Sequence, residues 1–262
     1  MTQLLDLPSF ADLSATLADG RFVAAAMICV LAGVVRGFSG FGSALIYVPL
    51  IAAVYEPRVA TVSFAIMDYC CVLPFALRAF PQAHWREVAP AFAAALVTVP
   101  LGTMAQNAAD PVVLRWGMAL FVLAFVVLIA IGWRYPWKRS ALAATGAGAL
   151  SGFAGGATQM SGPPAILYWL GSPETAALIR ANLLVFLILL GMTLLANYFW
   201  HGLMTAKPIA LAVLLWPAYI VALAAGAWWF RGASDAGYRR IAYIIVAAAA
   251  LVSLPIFDGF LR

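Results

Sequence analysis

Two apolar runs in this chain, residues 22 to 55 and 141 to 170, are 30 or more residues long, and each is interrupted near its middle by glycines and small polar residues. A helix crossing a bilayer needs roughly 20 apolar residues, so neither run is one simple span. An interruption at that depth is tolerated only where protein or a water-filled cavity encloses the backbone, because each unsatisfied amide in hydrocarbon costs several kcal/mol. The lipid setting follows from composition: 65% of residues are hydrophobic and 10% charged, far from the balance of a soluble domain. Further apolar runs fall at about 59–80, 88–107, 112–133, 175–200, 208–230 and 238–257. They are continuous rather than alternating, which argues against a membrane barrel. The sequence therefore predicts an all-α polytopic membrane protein, a single transmembrane domain over 1–262 with about seven or eight crossings.

The net charge of +5 does not point to nucleic acid, because the basic residues stand singly between apolar runs instead of forming a patch. They are better topology signals, and the lipid bilayer is the expected partner. The three cysteines, Cys29, Cys70 and Cys71, lie in apolar runs without ligand spacing, so they fit as small buried hydrophobes; no metal or cofactor is expected. The first twenty residues carry Asp6, Asp12 and Asp19 and no base before Arg21, the reverse of a signal peptide. A short, retained amphipathic lead-in is expected there.

The two interrupted runs resemble each other. Gly37-Phe38-Ser39-Gly40 through Pro49 lies over Gly152-Phe153-Ala154-Gly155 through Pro164 at a shift of 115, and Gly102 with Arg115 matches Gly226 with Arg239 at 124. The chain is thus expected to be two repeats of four helical segments, about 20–135 and 139–258, each beginning with a broken or re-entrant segment. If the broken segments cross, the halves are parallel. Lysine and arginine, Arg36 aside, then divide eight against six between the two faces. If the segments re-enter, the halves are inverted. The face holding the N-terminus then has five (Arg21, Arg58, Arg115, Lys207, Arg262) and the other nine, including Arg78, Arg86, Lys138 and Arg231. A basic excess marks the cytoplasmic face, so the charges favour inverted repeats with both termini outside.

Two broken elements related in this way would meet near the midplane, their half-helix N-termini presenting N–H groups and positive dipole ends that suit an anion. Ser39 and Ser43 in the first half, and Thr158, Gln159 and Ser161 in the second, supply side-chain donors. Gly40, Gly42, Gly155, Gly156 and Gly162 allow close backbone approach, though glycines at such spacing also serve plain helix packing. Arg36, immediately before the first break, is a candidate cation for the substrate; at the shift of 115 it falls on Ser151, with no matching base.

GVVRGFSGFGSALIYVPL and GALSGFAGGATQMSGPPAILYWL resemble the paired glycine-rich, proline-terminated motifs of the TauE/SafE family of sulfite exporters and sulfonate permeases, and the likeness covers essentially the whole chain. The resemblance implies a transporter of the bacterial inner membrane, not an enzyme, with sulfite or organosulfonates as substrates and both motifs, including Pro49 and Pro164, at the substrate path. The first motif departs from the commoner triple-glycine form at Phe41. A passive anion channel, or a carrier of another small anion such as a carboxylate, would use the same residues.

Asp68, in the middle of the run 59–80, is an expensive ionisable group of the kind that serves proton coupling or pairs with an arginine such as Arg36. Arg180 and Asn182 follow the second motif and are candidates for coupling or gating. Tyr198 and Trp200, like Trp133, Tyr135 and Trp137, fit an interfacial aromatic belt. Gly37-Phe38-Ser39-Gly40 also spells the GxSG pattern of rhomboid-type intramembrane serine proteases. That chemistry needs a histidine within hydrogen-bond reach, and His84 and His201 both fall at segment ends. Homo-oligomerisation is compatible with such a chain.

Overall fold

The computed structural model describes residues 5–39, 42–133, 135, 140–171, 174–229 and 235–257; side chains at 38–39, 75–76, 176, 229, 235–243 and 257 lie outside that description. The described residues form eleven α-helices and two 3-10 turns, without strands. The helices are α1 (Phe10–Ala18), α2 (Phe22–Ser39), α3 (Ser43–Val54), α4 (Pro57–Ala79), α5 (Trp85–Ala108) and α6 (Pro111–Ala130), then α7 (Ala141–Thr158), α8 (Gly162–Leu170), α9 (Ala176–Trp200), α10 (Ala206–Trp229) and α11 (Asp235–Val252). Each interrupted run is a pair of helices, α2 with α3 and α7 with α8, and the other expected segments appear within a few residues of their expected limits. Among the described residues, four helices are long and apolar enough to cross a membrane: α5, α6, α9 and α10. A fifth candidate span is α1 with α2, bent by 88° between them. Only 28 to 44% of each long span's most apolar window is buried, so most of its apolar surface faces outward, as contact with lipid requires.

The chain divides into two compact units, one comprising Met1–Met67, Ala109–Val127 and His201–Arg262, the other Asp68–Ala108 and Leu128–Trp200. In the first unit α2 packs along α10, with α3 against α2 and α11. Gly37 is what lets α2 approach so closely, since a Cβ there would overlap the Leu223 carbonyl; Gly226 on α10 meets the Val34 carbonyl in return. Nine residues of the twelve-residue α3 are buried, including Tyr47, Val48 and Ile51, so α3 is enclosed by protein. Tyr47 stacks on Phe64 at 5.4 Å, Phe64 meets Tyr219 edge-on at 6.5 Å, and the Tyr47 hydroxyl lies 3.1 Å from Ser63 Oγ. Arg115, 3% exposed in the first turns of α6, donates from Nη2 to the Ser253 carbonyl at 3.1 Å, the structural role expected of a helix-end arginine.

In the second unit α7 packs along α5 by the same device. A Cβ on Gly156 would overlap the Val99 carbonyl, and one on Gly102 the Phe153 carbonyl. Matching these contacts to those of the first unit pairs Gly37 with Gly156 and Gly33 with Gly152, an offset of 119. Helix limits agree: Phe22–Ser39 and Ala141–Thr158 share that offset, as do the starts of α3 and α8 at Ser43 and Gly162. The packing register thus differs by four residues from the 115 at which the motifs align. Small residues spaced by four fall on the same helix face, so sliding the pattern one turn preserves its appearance. In this register Arg36 corresponds to Gly155 rather than Ser151. Each unit also draws on both halves of the chain, pairing the broken run of one with a long helix of the other.

At the chain's start the expected lead-in is α1. Ser9 caps it in a reciprocal box, the Asp12 N–H donating to Ser9 Oγ at 3.2 Å and the Ser9 N–H to Asp12 Oδ2 at 2.8 Å. Arg21 closes the turn into α2, its Nη2 2.8 Å from Asp19 Oδ2. The Arg21 guanidinium lies 4.8 Å from the centre of the Tyr55 ring, and the Lys207 ammonium 5.3 Å.

Candidate substrate site

In the first unit the last turn of α2 carries Arg36, half-buried, whose Nη1 donates to Ser43 Oγ at 3.1 Å. Ser43 is fully buried and opens α3. Gly42 precedes it at φ 93°, a left-handed conformation that glycine alone adopts at no steric cost, and this turns the chain into α3. Ser39 closes α2 with its side chain outside the described residues, and Gly40 lies outside them altogether. Pro49 sits in the buried middle of α3, six residues past its start, where it interrupts that helix's hydrogen bonding instead of flanking the break.

In the second unit α7 ends at Thr158, and Gln159 takes a left-handed turn at φ 60°, its N–H donating to the Gly155 carbonyl at 2.7 Å. Gln159 Oε1 accepts from the hydroxyl of Tyr198 on α9 at 3.1 Å; that hydroxyl is 3.5 Å from the Gly155 carbonyl. Gly155 leaves room for the side chains of Ser161 and Leu194, and Gly156 belongs to the crossing with α5. Ser161, half-buried, precedes α8, while Gly162, Pro163 and Pro164 form its first turn. Two of the N–H groups such a helix start would offer are therefore absent. The Thr158 hydroxyl donates 2.7 Å to the Ala154 carbonyl of its own helix, so its proton is not offered outward. One turn before Gly155, Ser151 Oγ is buried with no hydrogen-bond partner.

The remaining candidates have varied surroundings. Asp68 is half-buried in α4. Arg180 is exposed on α9. Asn182, 1% exposed, accepts the His84 backbone N–H at 2.7 Å and so fixes the start of α5, a structural duty. His201 is exposed and follows α9. Tyr198 departs from the aromatic-belt expectation, being fully buried and bonded to the break. Hydropathy could not distinguish these placements, since a tyrosine at the end of an apolar run suits both.

Both breaks thus join left-handed backbone to a polar side chain reaching across, in otherwise apolar surroundings. A model of the family described as sulfite exporter TauE/SafE matches residues 25–253, which includes both breaks. The chain belongs to the TauE/SafE sulfite exporter family. The family is one of membrane transporters, consistent with the apolar spans and with a role other than catalysis. No curated protein and no solved structure matches the chain.

Proposed function

We propose that this TauE/SafE protein is a secondary transporter moving small sulfur-containing anions, sulfite or organosulfonates, across the bacterial inner membrane, with the anion bound at the two helix breaks. The observation that carries the reading is the Arg36 bond to Ser43 at the start of α3. A guanidinium beside a helix N-terminus presents a planar fork and a positive dipole end, which together suit an anion with two or three equivalent oxygens. On this reading the repeats are inverted, both termini face the outside, and Asp68 carries a proton coupled to transport. Reconstituted protein should move labelled sulfite or ethanesulfonate into proteoliposomes and concentrate it when a pH gradient is imposed. Flux that only equilibrates would mark a passive channel, and preference for short carboxylates would overturn the sulfur-anion assignment.

A further inference from the structure

The second break contains a hydrogen-bond donor held ready by a neighbour. Gln159 is 9% exposed, its backbone is fixed by the bond to Gly155, and its side-chain oxygen accepts from Tyr198. Tyr198 is fully buried, so the phenol is itself immobile. Its one hydroxyl proton goes to the nearer acceptor, Gln159 Oε1 at 3.1 Å rather than the Gly155 carbonyl at 3.5 Å. A carboxamide carries its acceptor and its two donors on opposite sides, so pinning Oε1 turns Nε2 away from the phenol. Gln159 Nε2 makes no hydrogen bond within the described structure. Nε2 is not sealed in the interior: it reaches accessible space, where an anion can take its two donors.

The geometry points to Gln159 Nε2 as a direct donor to the transported anion, with Tyr198 the positioning residue that holds the carboxamide in the donating orientation. The inference rests on the anion-carrier reading and adds to it a neutral donor at the second break. The asymmetry follows from the packing register: Arg36 corresponds to Gly155, so the second break has no cation there and offers amide protons instead.

The test is equilibrium binding of ethanesulfonate, a permanent anion between pH 5 and 8, to purified wild type, Gln159→Glu, Gln159→Met and Tyr198→Phe. Glutamate can still accept from Tyr198, so a merely structural Gln159 would tolerate it. Gln159→Glu should weaken binding about tenfold or more at pH 8 and regain part of it towards pH 5 as the carboxyl protonates and becomes a donor. Gln159→Met should be weak at every pH, and Tyr198→Phe weaker by about fivefold with no new pH dependence. Gln159→Glu within twofold of wild type throughout would overturn the inference while leaving the carrier reading standing. Wild type that binds no sulfur anion would overturn both. Should Gln159→Glu fail to fold, Gln159→Met binding as tightly as wild type would overturn the inference by itself.

Discussion

Arg36 Nη1 and Ser43 Oγ are 3.1 Å apart, so one side chain ties the last turn of α2 to the first residue of α3. In the second unit the break is tied to α9 instead, through Gln159 and Tyr198.

The helix crossings rest on glycines without room for a methyl group. Gly37→Ala and Gly156→Ala should each destabilise the protein by about 1–3 kcal/mol, as overpacking does, because the obstacle is backbone carbonyl that cannot rotate aside. Gly117→Ala in α6, where nothing lies within 4 Å, should be neutral or stabilising by up to about 1 kcal/mol. Thermal unfolding in detergent checks this, and equal midpoints for Gly37→Ala and Gly117→Ala would show that α2 and α10 do not cross so closely.

Acid should loosen the lead-in helix selectively. Hydrogen bonds from Arg21 hold the Asp19 carboxyl below its usual value of 3.8, and the Ser9 side chain and backbone hold Asp12 below it as well. Depressed carboxyl values contribute stability above the ordinary range that is lost as pH falls through the folded values. Hydrogen exchange across Phe10–Ala18 should therefore be slower at pH 7 than at pH 3, after correction for intrinsic rates, with Asp12→Asn removing part of the difference. A pH-independent protection factor would contradict the capping account.

Much of the fold was legible because apolar runs bounded by proline and charge fix helix limits directly: α5, α6 and α9 end within about three residues of where hydropathy places them. Both breaks were legible for the same reason, since Gly42 and the segment Gln159-Met160-Ser161 interrupt runs that are otherwise uniform. The register was not, because Gly33, Gly37, Gly152 and Gly156 repeat every four residues and align equally well one turn out of place. Side-chain duties were hidden too. Thr158 spends its proton on its own helix, Asn182 caps α5, and Tyr198 turns inward, each a matter of tertiary neighbours that composition does not encode.

Topology can be decided with single cysteines at 58, 86 and 207 on a background with Cys29, Cys70 and Cys71 replaced. Inverted repeats predict that 58 and 207 react with an impermeant reagent from outside and 86 does not. Reaction of 86 together with 207, and not 58, would establish parallel halves.

Coupling can be separated from binding at Asp68. Asp68→Asn should abolish anion accumulation driven by a pH gradient while preserving exchange of anion for anion. Equal loss of both would assign Asp68 a structural role.

Sulfonate binding by Arg36 variants shows whether the anion is held at the first break. An arginine at membrane depth costs at least a few kcal/mol by insertion scales, and it is retained where it meets a partner or a solvated site. Arg36→Gln should remain folded and monodisperse and lose ethanesulfonate binding, while Arg36→Lys, with a point charge in place of a fork, should keep only part of the affinity. Near-normal binding by Arg36→Gln would show instead that the guanidinium serves the α2–α3 junction and not the anion.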